Sequence, residues 1–232
     1  MNKIIIGLWL FLISSISISQ VINEKKEKRN FRKHLKIQVK EQISQIHDGA
    51  LLVRLKTKKN SIEALRKIEK NTLADKIEKK QAKRNKAIIS AFQKRFDFCP
   101  TFFFFSDYSQ SIKEKKFDKV LFLNSNLQLD STIKFDKKTF LTAEFGTIEP
   151  DTAKYFSYYS LEPDGNWSVK KIKNYYGGSS LVFDALLIKS DIFIQLRRPF
   201  PYYARTFDSF HPKRVVKRMN RKLRRFYKQK NT

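Results

Sequence analysis

The run Cys99-Pro100-Thr101-Phe102-Phe103-Phe104-Phe105 constrains this chain more than any other feature. It is continuously apolar without alternation, the pattern of an inner strand covered on both faces, and it is too short for a buried helix. Val120-Leu121-Phe122-Leu123 repeats the pattern, and Ala50-Leu51-Leu52-Val53-Arg54-Leu55 reads as the first strand. A sheet with inner strands needs helices to cover it, and the sequence supplies one between the first two runs.

That helix is expected to start at Asn60, with Glu63 completing a capping box. Ile62, Leu65, Ile68, Leu73, Ile77, Ile88, Ala91, Phe92 and Phe96 recur at mostly helical spacing, whereas residues 79–86 are almost wholly polar. Unbroken to Phe96 it would be about 54 Å long, so a projecting helix, a kink or a break near residues 79–86 is expected. Ser109 to Phe117 suits a short helix or loop. From Phe140 onward the pattern changes to strands and turns. Glu162-Pro163-Asp164-Gly165-Asn166 marks a hairpin between 155–161 and 167–173, and Tyr176-Gly177-Gly178-Ser179 a break before 181–189. The expected fold class is therefore α+β: a mixed sheet, one long helix after the first strand, an antiparallel hairpin-rich second half, and a basic amphipathic C-terminal helix.

The ends of the chain carry its strongest compositional signals. Met1-Asn2-Lys3, the apolar run Ile4 to Ile13 and the serine-rich stretch before Gln20 have the form of a secretory signal. The apolar core is too short to span a bilayer, and small residues at Ser17 and Ser19 suit cleavage before Gln20. The expected organisation is a signal peptide over 1–19, a basic arm and short element over 20–46, one α+β domain over 47–211, and a tail helix over 212–232. Export implies a periplasmic or extracellular location, peripheral to a membrane if the tail binds one. Cys99 is the sole cysteine, which excludes a disulfide within the chain and leaves stability to packing.

The formal net charge is +27, from 49 Lys and Arg against 22 Asp and Glu. A surface so far from neutrality attracts anionic partners and repels its own copies. After export the expected partners are anionic lipid, lipopolysaccharide, or an acidic envelope protein or glycan, with nucleic acid the weaker candidate.

The charge is most concentrated in Lys213 to Thr232, which holds ten Lys or Arg residues and no acid. Pro212 occupies the place of a first helical residue. Val215, Val216, Met219, Leu223 and Phe226 share one helical face, ringed by Arg214, Lys217, Arg218, Arg221, Lys222, Arg224, Arg225 and Lys228. Such a helix can lay its stripe into a headgroup region while its bases pair with phosphates. It can equally dock on its own domain with its charges in water.

Other constellations are weaker. Several strands end in short polar sets, and Asp107, Asn124, Asn126 and Asp191 would form a cation or phosphate-ester site if those ends converged. Glu144, among apolar neighbours, is a half-buried base, a carboxylate facing water on an alternating strand, or a partner for an arginine such as Arg205. Cys99 has no local base to activate it and reads as a core residue. No Cys or His spacing suggests a metal site, and no cofactor motif is present. The sequence thus favours a non-catalytic, exported protein held to an anionic envelope component through its basic tail. The alternatives are a hydrolase using strand-end carboxylates or a structural subunit of an envelope assembly.

Overall fold

The computed structural model describes residues 29–30, 33, 36–37, 39–150, 154–161, 167–174, 181–206 and 210–231. The signal-like segment, the 162–166 turn and the Tyr176 to Ser179 break lie outside them. The chain divides into two units, residues 1–42 and 43–232. In the first, the described residues are all helical. The second opens with helical residues 43–48 (α1) and runs through β1 (Ala50–Leu55), α2 (Lys59–Lys67), α3 (Asn71–Arg95), β2 (Thr101–Phe105) and α4 (Ser109–Lys113). It continues with β3 (Phe122–Leu123), β4 (Leu129–Asp130), β5 (Phe140–Thr147), β6 (Lys154–Leu161), β7 (Trp167–Asn174), β8 (Asp184–Lys189), β9 (Tyr203–Arg205) and α5 (Pro212–Asn231).

Seven strands form one sheet in the order β4-β3-β2-β1-β5-β8-β9. The inner three, β2, β1 and β5, are parallel, and every strand added outside them is antiparallel to its neighbour. The expected α+β class with a mixed sheet is what the chain forms. β6 and β7 pair with each other as a separate antiparallel hairpin, Leu161 opposite Trp167.

The pleat explains the phenylalanine run. Phe103 meets Phe92 of α3, ring centroids 6.1 Å apart, while Phe102 and Phe104 turn to the other face. There Leu52, Phe104, Ile112, Val120, Phe122 and Phe140 form a second core, and Phe102 packs edge-on to Phe122 and Phe135. α3 and α5 pack on each other, and α5 also lies against β8 and β9.

The sharp entry to β1 depends on Gly49. A Cβ built there would lie 2.2 Å from the Thr139 carbonyl oxygen, so only glycine lets the chain pass. The same carbonyl accepts the Ala50 amide, which sets β1 against β5.

Two helix expectations need correction. The interruption falls at residues 68–70, not 79–86, with Glu69 in the left-handed region at φ 58°. The helix also starts earlier than Asn60: its N-cap is Lys58, itself at φ 57°, and it has no side-chain cap. Residues 79–86 run unbroken through α3 because their polar side chains have a place to go. Gln81 and Asn85 lie on its buried face, eight and four residues before Ile89 in the same stripe, and hydrogen-bond one another.

Candidate functional site

α5 arises from a proline start and apolar positions at helical spacing. Val215, Val216, Met219 and Leu223 are buried, the last three being wholly inaccessible, and Phe226 is half-buried. The apolar stripe is thus occupied by the molecule's own core, and the helix belongs to the same unit as the sheet. Insertion of that stripe into a headgroup region is not open to this folded chain.

Three of the eight tail bases anchor the helix. Arg224 donates from Nε to Asp97 Oδ1 at 3.1 Å and from Nη2 to the Asp97 carbonyl at 3.1 Å. Asn220 donates to the same carboxylate, and these two hydrogen bonds hold the Asp97 carboxyl below the ordinary aspartate range. Lys222 Nζ donates to the Tyr203 carbonyl at 2.8 Å and lies 4.8 Å from the centre of that ring. Burial, with Arg218 and Arg198 nearby, pushes its ammonium below the ordinary lysine value. Arg218 donates to the Arg205 carbonyl.

The other five, Arg214, Lys217, Arg221, Arg225 and Lys228, are exposed. At 100° per residue they fall within an arc of roughly 80°, its centre roughly 170° from that of the apolar stripe. They form one rail about 21 Å long. Beside its C-terminal half lies a groove of about 370 Å³, lined by Pro199, Phe200, Tyr202, Lys222, Arg225 and Phe226 among others.

A second basic region was not read from the sequence. A cleft of about 410 Å³ opens where β1 and β5 end, beneath the polar middle of α3. Arg54, Lys56, Lys58, Lys80 and Arg84 line it, with Asp184 the one acid among the described residues of its walls. Its framework is polar: Gln81 Nε2 donates to Asn85 Oδ1 at 2.9 Å, and Asn85 Nδ2 donates to the Lys56 carbonyl at 2.9 Å. Arg84 stacks on Phe210, 4.0 Å from the ring centre. The signal in the sequence was the polar stretch 79–86, which interrupts an otherwise apolar helical stripe.

Behind the cleft, Glu144 is 7% exposed and binds two cations, Arg54 Nη1 at 2.6 Å and Lys189 Nζ at 2.7 Å. Arg54 Nε also donates to Ser109 Oγ at 2.8 Å. Burial pushes the Glu144 carboxyl up, but the hydrogen bonds and charges of Lys189 and Arg54 outweigh it and hold the group below the usual glutamate range. Glu144 is therefore ionised at neutral pH and held by both cations, unsuited to taking a proton. Its arginine is Arg54, its register neighbour on β1, rather than Arg205.

The strand-end constellation does not assemble. β3 and β8 run antiparallel to the inner strands, so Asn124, Asn126 and Asp191 follow the ends opposite the one where β2 delivers Asp107. Each has a local task instead. Asp107 accepts from Thr57 Oγ1 at 2.8 Å, Asn124 Oδ1 accepts the Asn126 and Gln128 amides of its own turn, and Asp191 pairs with Lys115 at 3.2 Å. Among the described residues no group of three or more His, Cys, Asp or Glu could hold a metal ion. Cys99 is half-buried, and burial pushes its thiol up to about 12, so it is no nucleophile at neutral pH. No helix among the described residues is long and apolar enough to cross a membrane. The chain matches no family model, no curated protein and no solved structure.

Proposed function

We propose that the protein is a non-catalytic, exported protein that associates with an anionic component of the cell envelope through the exposed rail of α5. Anionic lipid and lipopolysaccharide head the partner classes, followed by acidic envelope proteins and glycans. The observation that carries this reading is the rail itself. Its neighbours along the helix, Arg214 with Lys217, Lys217 with Arg221, Arg221 with Arg225 and Arg225 with Lys228, are all like-charged at i,i+3 or i,i+4. Each such pair costs about 0.2–0.5 kcal/mol, so the rail costs the isolated fold about 1–2 kcal/mol, which an anionic partner would reverse. Because the apolar face is already buried, association is electrostatic and at the surface, and it falls steeply with salt.

Sedimentation of the chain with anionic and neutral vesicles over a salt series tests the reading. Truncation at residue 212 is a poor control, since it removes Val216, Met219 and Leu223 from the core. The triple variant K217Q, R221Q and R225Q keeps the helix and strips the middle of the rail. Salt-sensitive binding to anionic vesicles, lost in the triple variant, is expected. Binding that is unchanged in that variant, or equal on neutral vesicles, refutes the proposal.

A further inference from the structure

We propose that the cleft at the carboxyl-terminal edge of β1 and β5 is a second, separate anion site, shaped for a ligand that carries two or more phosphate groups. Among the described residues five cations line it against the single carboxylate of Asp184, which itself accepts a hydrogen bond from Thr147 Oγ1 at 2.8 Å. Arg54 is partly neutralised by Glu144, but Lys56, Lys58 and Lys80 are exposed and have no ion-pair partner among the described residues. Such an excess is more than one monoanion needs, whereas two phosphates would balance it.

The cleft is built as well as charged. Its volume falls within the range of small-molecule sites, and Ile77, Ile88 and Phe145 give it apolar walls beside the cations. The Asn85 amide fixes the Lys56 carbonyl to α3, so the connection from β1 to α2 is held in place before any ligand arrives. Lys58, in that connection, keeps the left-handed backbone at φ 57°, a conformation that disfavours lysine and that recurs where ligands are held. α2 begins at the next residue with no acid in its first turn and no side-chain cap, so its positive end adds to the same field. Phosphate suits this set better than carboxylate. Lysines act on it as point charges, and its several oxygens can engage lysine, guanidinium and backbone amides together.

The phosphates can be those of a free small molecule or of a diphosphorylated lipid headgroup, and the test separates the two. Calorimetric titration of the full chain with inorganic pyrophosphate is run beside sulfate at equal ionic strength, and co-sedimentation with vesicles containing a diphosphorylated headgroup is run in parallel. The variants are K58Q/K80Q in the cleft and the α5 triple variant as control. Pyrophosphate is expected to bind more tightly than sulfate, and the cleft variant to bind it at least about tenfold more weakly, with the α5 variant unchanged. Vesicle binding that depends on Lys58 and Lys80 assigns the site to a headgroup; vesicle binding indifferent to them, with pyrophosphate binding lost, assigns it to a free ligand. Pyrophosphate that binds no better than sulfate, or equally well to K58Q/K80Q with vesicle binding also unaffected, overturns the proposal. Failure here leaves the α5 rail untouched, because its variant is scored separately.

Discussion

The two basic regions of this molecule are mounted in opposite ways. The α5 rail stands on hydrocarbon: Val215, Val216, Met219 and Leu223 close the core beneath it, and its bases face water. The cations of the cleft stand on a polar framework, with Arg54 clamped by Glu144 and Lys56 tied through its carbonyl to Asn85. A charge on an apolar mount is held only as firmly as its helix and keeps a mobile tip. A guanidinium held between Glu144 and Ser109, as that of Arg54 is, has a fixed direction. The first arrangement suits a surface without fixed geometry, and the second suits a ligand with one.

The sharpest way to break this contrast is Glu144→Gln, which removes the buried carboxylate and leaves the half-buried Arg54 and Lys189 without it. A loss of about 3–5 kcal/mol is expected, read from the urea midpoint at unchanged slope. The carboxyl is held below its unfolded value, so its contribution is complete at neutral pH, where both states are ionised. It is lost as the pH falls through the ordinary glutamate range toward the folded value. Wild-type stability measured against pH should decline there, and Glu144→Gln should flatten the decline.

Leu223→Ala attacks the hydrocarbon mount and should cost about 2–5 kcal/mol, since Leu223 is wholly inaccessible and its neighbours cannot fill the void. Unlike that of Glu144→Gln, its cost should be the same at about pH 3 and pH 7, on either side of the ordinary glutamate range. Asn85→Ala comes next, at about 1–3 kcal/mol, because the buried Gln81 amide and the Lys56 carbonyl both lose their partner. Hydrogen exchange should show faster opening of residues 56–58 in that variant. The smallest effect belongs to Asp97→Ala, under about 1 kcal/mol, since the pin from Asp97 to Asn220 and Arg224 is exposed to solvent.

What was legible in the sequence were features with a period. The unalternating run ending at Phe105 announced a strand covered on both sides, and α5 was readable from Pro212 and the spacing of its valines, Met219 and Leu223. The break at Glu69 was hidden because a left-handed glutamate has no signature of its own, while the polar stretch 79–86 offered a decoy. That stretch was the trace of the cleft, but helical spacing shows only that Gln81 and Asn85 share a face with Ile88 and Phe92. It does not show that the face looks onto the ends of β1 and β5. The strand-end residues failed for a reason of direction. Asp107 and Asp191 were grouped on the premise that strand ends share an edge, and the antiparallel β8 delivers Asp191 to the other one.

The sheet is bounded by its two shortest kinds of strand, β4 with two residues and β9 with three. Its outermost rows therefore offer few unpaired backbone groups for another chain to align with, and short edges of this kind are a known guard against strand addition. The long strands, β1, β5 and β8, each have a neighbour on both sides. In company with other molecules this seven-stranded sheet has little backbone to offer as a template at its two edges.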